Sequence, residues 1–260
     1  MTRYAGRLAP ELIHRETFRV CFFDSEPGGR VSVPSLCRFA QETADAHCRT
    51  FHMSLLELRA RNRMWVLTRF RLCMQRYPVC GEPVTVETWA SDRTNGIRAV
   101  RDFQFLSADG EVIGHALSLW LMLDVTKRRP VRLPQVVLDI RNPERSIPGD
   151  FEFPRLKAPE QTAYHRQFHV GWRDLDSNNH ANNVNYIEWA LDVLPLGVCR
   201  DYMLRQLDVE FLSEALYGQE ITSAAGKEPE ATTFCHRINN GQATLALLRT
   251  QWEHATTDIA

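Results

Sequence analysis

The sequence predicts an α+β protein built from two similar halves, each an antiparallel sheet wrapping one central helix. Three observations carry this expectation. Long stretches alternate apolar and polar residues with period two, as between Met64 and Met74. Each half places one amphipathic helix ahead of its longest run of strands. The order strand, helix, then four strands occurs twice, on either side of a proline-punctuated stretch from Arg141 to Gln161.

The chain opens with a strand from Thr17 to Phe23, where Phe18, Val20 and Phe22 alternate with Arg19 and Cys21. Pro27-Gly28-Gly29 then breaks it. Ser32 can cap a helix with Pro34 in its first turn, and Leu36, Phe39, Ala40, Thr43, Ala44 and His47 form its apolar stripe to about Cys48. Ser54-Leu55-Leu56-Glu57 is an S-x-x-E capping box, which predicts a short second helix to about Arg61. From Met64 the period becomes two, with Val66, Thr68, Phe70, Leu72 and Met74 on one side. Further strands follow over Pro83 to Ala90, Arg98 to Leu106 and Glu111 to Asp124, separated by segments holding Asn95-Gly96 and Asp109-Gly110 turn signals.

Pro143, Pro148, Pro154 and Pro159 then mark a linker with few buried-looking residues between them. Residues 1–140 are read as the first domain, 141–161 as the linker and 162–260 as the second domain. The second half repeats the order: a strand from Tyr164 to Trp172, a helix from about Asn182, and strands over Asp201 to Phe211, Glu220 to Glu228, Thr232 to Asn239 and Ala243 to Trp252. Asn240-Gly241 supplies another hairpin turn. A duplication of this kind lets the two sheets pair into a pseudo-dimer, so that edge strands are covered.

The 260 residues are 44% hydrophobic and 24% charged, ordinary for a globular protein of one large or two modest domains. No stretch reaches the roughly 18 apolar residues a membrane span needs, and the basic N-terminus lacks a following apolar run. A cytoplasmic protein is expected. The seven cysteines are odd in number, lack C-x-x-C spacing and sit mostly among apolar residues, which favours reduced, buried thiols over disulfides or zinc. With a net charge of −1, any acidic partner must use a local patch. Lys127-Arg128-Arg129 is too short a basic run to argue for nucleic acid.

The densest chemistry lies from Trp172 to Ile187, a polar loop running into a helix whose Val184, Ile187, Leu191 and Leu194 share one face. Asp176, Asn178, Asn179 and Asn182 are types that cap a helix start, where free N–H groups and the helix dipole attract negative charge. His180 lies among them, beside Asp174 and Asp176. Acyl-transfer chemistry uses that mixture of imidazole, acid and amide. The plainer reading is that these residues only cap and turn the chain, with His180 a structural hydrogen-bonder. The first half has Pro27-Gly28-Gly29-Arg30 in the corresponding place, so only one half carries the cluster.

Asp174-Leu175-Asp176-x-Asn178-x-His180-x-Asn182-Asn183-Val184-x-Tyr186-Ile187 resembles the signature of the acyl-acyl-carrier-protein thioesterases of plant plastids and bacteria. Met64 to Arg69, Arg76-Tyr77-Pro78, Glu87-Thr88-Trp89, Gly114 to Trp120 and Thr126 to Arg129 resemble that family's first half. The resemblance runs from about Phe18 to about Trp252. It implies a tandem (double) hotdog fold, and the asymmetry between Gly28-Gly29-Arg30 and Asn178-Asn179-His180 adds the expectation that the first half binds the acyl chain and the second is catalytic. It also implies hydrolysis of fatty acyl-acyl-carrier-protein thioesters, which ends chain elongation. The expected partner is acyl carrier protein with a 4'-phosphopantetheine-linked acyl chain, with a homodimer besides, and no cofactor or metal is expected.

By resemblance, the functional positions are Asp176, Asn178, His180 and Glu214. Strict alternation through Leu207, Val209 and Phe211 would turn Glu214 to the opposite face from that apolar set. Ala215 departs from the plant pattern, which carries a cysteine beside that glutamate, so a cysteine nucleophile there is excluded. The chain has no G-x-S-x-G elbow, G-x-G-x-x-G turn or Walker A loop, which favours attack by water. On this reading Asp176 or Glu214 takes the water's proton, His180 orients or assists, and Asn178 with helix N-terminal amides polarises the carbonyl. Arg59, Arg61, Arg63, Arg69, Arg71 and Arg76 could form a surface for an acidic carrier, although alternating arginines on strands and helices are more often just solvated faces. Two alternatives stay open: a hotdog thioesterase acting on acyl-coenzyme A, and a non-catalytic acyl-binding protein.

Overall fold

The computed structural model describes residues 12–147, 152–229 and 232–255. β1 (His14–Arg19) leads through a 3-10 turn to α1 (Val33–Thr50), whose start is fixed by the Ser32 hydroxyl accepting from the Ser35 N–H at 3.2 Å. The expected stripe Leu36, Phe39, Ala40, Thr43, Ala44 and His47 is buried. α2 (Leu55–Arg59) begins with the expected box, the Glu57 carboxylate accepting from the N–H and the hydroxyl of Ser54 at 3.1 and 2.7 Å. β2 (Arg63–Met74), β3 (Pro83–Ser91), β4 (Arg98–Leu106) and β5 (Val112–Asp124) follow, then the short β6 (Arg129–Pro130), α3 (Gln135–Asp139) and β7 (Arg141–Asn142). The second half contains β8 (Tyr164–His169), α4 (Asn183–Leu191), α5 (Leu196–Asp201), β9 (Tyr202–Phe211), β10 (Glu220–Lys227), β11 (Thr232–Asn239) and β12 (Thr244–His254).

Several details differ from the sequence reading. The first strand lies earlier than Thr17 to Phe23, because the chain turns at Cys21 and leaves Phe22 and Phe23 on the surface. The strand expected to reach Trp172 stops at His169 for the same reason, a 3-10 turn over Trp172–Asp174. α3 and α5, of five and six residues, are too short to display a helical period. The prolines of the intervening segment do not make it a bare tether. Arg141 and Asn142 pair in parallel with Ala90 and Ser91, the Arg145 guanidinium lies 4.6 Å from the Trp89 ring, and Ile147 and Leu156 are buried. All seven cysteines are free, but Cys21 and Cys80 are exposed rather than buried.

The described strands form one twelve-stranded sheet whose main path runs β1-β3-β4-β5-β2-β9-β12-β11-β10-β8. The halves are therefore joined by a single seam, the antiparallel pairing of β2 with β9, in register from Arg69↔Glu210 to Cys73↔Gln206. α1 and α4 meet in the same middle region, linked by Arg38 to Glu188 at 2.8 Å. The duplication extends to irregularities. β2 carries a bulge between Leu67 and Arg69 against β5, and β9 carries one between Leu204 and Gln206 against β12.

Two of the arginines assigned above to a carrier surface are consumed by the seam. Arg69 pairs with Glu210 at 2.7 Å and also donates to the Pro154 carbonyl, while Arg71 pairs with Asp208 at 2.5 Å, both largely buried. Arg76 pairs with Glu82 and Arg63 with Asp124. A row of arginines along a strand shows the sign of the charge but not the acid that the neighbouring strand supplies.

Removing one partner of the Arg71 and Asp208 pair leaves the other as an uncompensated buried charge. Arg71→Met is therefore expected to lower stability by about 3 kcal/mol, and Arg71→Met with Asp208→Leu to recover most of it. Chemical denaturation of the two variants measures this. A single variant within about 1 kcal/mol of wild type would show that the pair contributes little to the seam.

Candidate active site

The loop before α4 is shaped by its own carboxylate. Asp176 Oδ1 accepts from the N–H of Asn178 at 2.7 Å and of His180 at 3.2 Å, while the Asp176 N–H donates to the His180 carbonyl at 2.7 Å. Asn179 takes a positive φ of 63°, which asparagine tolerates better than most residues. Asn182 Oδ1 caps the helix through the Val184 N–H at 2.9 Å. Asp174 accepts from the Gly171 N–H at 2.7 Å, so its carboxylate fixes the preceding turn.

Glu214 reaches this loop from the other direction. β9 ends at Phe211, and both the Leu212 and Ser213 N–H groups donate to the Leu245 carbonyl, which breaks the strict alternation that would have turned Glu214 away. Tyr186 then clamps the segment: its buried hydroxyl donates to the Ser213 carbonyl at 3.2 Å and accepts from the Ala215 N–H at 2.7 Å. Burial pushes the Tyr186 phenol up to about 12, so it keeps its proton for that role. The Ala181 N–H donates to the Ala215 carbonyl at 2.9 Å and ties the segment to the loop. As a result Glu214 Oε2 lies 3.5 Å from His180 Nε2 and accepts from Arg128 Nη2 at 2.7 Å.

The four residues expected from the sequence thus come together, with distinct surroundings. Asp176 braces the loop, and Asn178, His180 and Glu214 line a cavity of about 190 Å³ together with Arg59, Arg63 and Arg128 from the first half. Arg59 also donates to the Ser177 carbonyl at 2.9 Å. Asn178 and Asp176 line a second cavity of about 380 Å³, which extends under α1 to Trp65, Ala99, Val137 and Ile140. Tyr186 and Arg128 were not singled out for the site in the sequence. Both lie inside the stretches that carry the family resemblance, but only the fold shows that they hold Glu214.

The first half carries the same loop backbone without the chemistry. The Glu26 N–H donates to Arg30, Gly29 to Glu26, and Val31 to Pro78, matching Asp176 to His180, Asn179 to Asp176, and Ala181 to Ala215. Glu26, Gly28, Arg30 and Tyr77 thus stand where the second half has Asp176, Asn178, His180 and Glu214. A cavity of about 450 Å³ adjoins this loop, lined in part by Glu26, Arg30, Tyr77 and Trp252. Among the described residues no group of His, Cys, Asp and Glu is arranged to hold a metal ion.

The comparisons with known proteins follow this division. Residues 11–141 match the model of the acyl-ACP thioesterase N-terminal domain, and residues 157–254 that of the C-terminal domain. The chloroplastic palmitoyl-acyl carrier protein thioesterase of Gossypium hirsutum is 30% identical over 78% of this chain, which spans 52% of that protein's length. The chloroplastic dodecanoyl-[acyl-carrier-protein] hydrolase of Cinnamomum camphora is 26% identical over 95% of this chain and 69% of its own. Among solved structures, an acyl-ACP thioesterase from Bacteroides thetaiotaomicron superposes with a TM-score of 0.84 at 24% identity, covering 95% of this chain and 100% of that one. The 12:0-ACP thioesterase of Umbellularia californica gives 0.85 at 21% identity, covering 96% and 100%. These two likenesses carry the tandem hotdog fold. On the family models, which together take in both halves, the chain belongs to the acyl-ACP thioesterase family.

Proposed function

We propose that this chain hydrolyses the thioester of fatty acyl-acyl carrier protein, releasing a free fatty acid and ending elongation. The observation that carries this reading is the placement of His180 Nε2 3.5 Å from Glu214 Oε2, at a loop where two cavities meet. A thiolate leaves readily near neutral pH, so the enzyme needs chiefly an activated water and a stabilised oxyanion. Asp176 spends one carboxylate oxygen on two backbone N–H groups, and its role on this reading is to hold Asn178 and His180 in place. Glu214, whose carboxylate contacts Arg128 and His180 among the described residues, takes the water's proton with His180 orienting the water. Asn178 polarises the thioester carbonyl.

The same reading divides the labour between the halves. Residues 162–260 cut, and residues 1–140 hold the acyl chain in the 380 Å³ cavity beneath α1. The carrier's phosphopantetheine arm enters past Arg59, Arg63 and Arg128, which ring the smaller cavity; Arg63 is offset by Asp124 and Arg128 by Glu214, so Arg59 is the cation there with no acidic partner among the described residues. No helix of the described residues is long and apolar enough to cross a membrane, and a cytoplasmic setting is part of the proposal.

His180→Ala and Glu214→Gln are expected to fold normally and to lose hydrolysis by about 100-fold or more, a loss typical of a missing acid or base. Melting curves alongside steady-state hydrolysis check this. Turnover within about threefold of wild type in either variant would remove that residue from the mechanism.

Arg59→Glu is expected to raise KM for carrier-linked substrate and to flatten its ionic-strength dependence, while a short thioester lacking the carrier is cleaved as before. Acyl-coenzyme A assayed in parallel separates the two carriers. Equal effects on carrier-linked and short substrates would count against docking at Arg59.

A further inference from the structure

The 380 Å³ cavity is lined by polar residues such as Gln41, Glu42, Asp45 and Arg49 as well as by apolar ones, and a buried guanidinium stands among the apolar ones. Arg101, on β4, lines it beside Trp65, Ala99, Val137 and Ile140, and is only 8% exposed. Its Nη1 donates to His47 Nδ1 at 2.9 Å and to the Thr88 hydroxyl at 3.2 Å, and its Nη2 lies 3.8 Å from the Cys48 thiol. Among the described residues no carboxylate forms an ion pair with it. Its neighbour Asp102 is held by Arg93 at 2.5 Å, and Asp45, on the cavity wall, by Arg49 at 2.5 Å. Burial pushes the Arg101 pKa down, a loss that the nearby Cys48 and the Asp102 carboxylate offset only in part.

The fold does not require this charge. Across the first-half sheet, Phe70 pairs with Ser118, and Ser118 with Arg101. Across the second, Leu207 pairs with Thr250, and Thr250 with Phe234. The duplicated loops place Phe70 and Leu207 in equivalent positions, so Arg101 and Phe234 are counterparts, and Phe234 is a buried core residue. A buried cation kept where the twin half packs a phenyl ring costs stability unless something in the pocket compensates it.

An alkyl terminus against this guanidinium would strip its remaining water and return nothing. A carboxylate would supply the missing charge, and the donors to meet it are present: Nε makes no hydrogen bond to a described residue, and Nη2 has only the weak thiol contact. Building on the reading of this cavity as the acyl-chain site, we propose that Arg101 binds an anionic distal end of the chain, so that the preferred substrates are ω-carboxyacyl thioesters.

The test uses uncleavable amide analogues of the pantetheine thioester, carrying a dodecanoyl chain, its ω-hydroxy form or its ω-carboxy form, titrated calorimetrically into the intact protein near neutral pH. The ω-carboxy analogue is expected to bind about tenfold tighter than the plain one, with the ω-hydroxy form close to the plain one. Arg101→Met and Arg101→Gln, each checked by melting curve, should abolish the difference between the ω-carboxy and plain analogues. Equal binding of plain and ω-carboxy analogues by wild type overturns the proposal without any variant, as does an ω-hydroxy analogue that binds as well as the ω-carboxy one. Hydrolysis of the matching thioesters is read separately. If none is cleaved while the amides still discriminate, the hydrolase reading fails and the Arg101 assignment stands.

Discussion

The pairing of β2 with β9 is the constraint on which the rest of the molecule depends. It is the hydrogen-bonded connection between the two half-sheets, and it carries two ion pairs across it, Arg69 to Glu210 and Arg71 to Asp208. Its register decides which first-half residues face the loop before α4. Arg128, on the turn after β5, reaches Glu214 only because β5 lies beside β2 and β2 beside β9. Arg59 reaches the Ser177 carbonyl by the same juxtaposition. The candidate site is thus a product of the seam, with its imidazole and carboxylates on one half and Arg59 and Arg128 on the other.

The duplicated loops show how little of this chemistry is written in the backbone. Both turn through a 3-10 segment, close with equivalent hydrogen bonds and hand over to a capped helix. The positive φ at Gly29 recurs at Asn179, where the asparagine side chain type makes it tolerable. What differs is the side chains hung on that frame: Gly28 against Asn178, Arg30 against His180, Tyr77 against Glu214. Tyr77 shows the consequence. It is buried and donates its hydroxyl to the Leu204 carbonyl across the halves, so the position that bears a carboxylate in one half serves packing and attachment in the other.

What the sequence made legible was local. The capped starts at Ser32, Ser54 and Asn182 and the alternation along β2 are signals confined to a few neighbouring residues, and the elements they announce are present. The polar cluster at Asp176, Asn178 and His180 was visible for the same reason. Glu214 was harder, because alternation could be extended past Phe211 on paper while the real strand stops there and Tyr186 redirects the chain. Arg69 and Arg71 of β2 do not reach a carrier surface, because their acids lie about 140 residues away in sequence, 141 for Arg69 and 137 for Arg71. Periodicity says which side of a strand a residue occupies; it is silent about which strand lies next to it.

The central claim is that the first half takes part in the site through the seam, and a double-mutant cycle on kcat/KM tests it most directly. Arg128→Met should cost about tenfold with Glu214 in place and almost nothing in a Glu214→Gln background, because the arginine acts through that carboxylate. If the two losses multiply independently, Arg128 does not act through Glu214, and the seam would serve stability while the second half works alone.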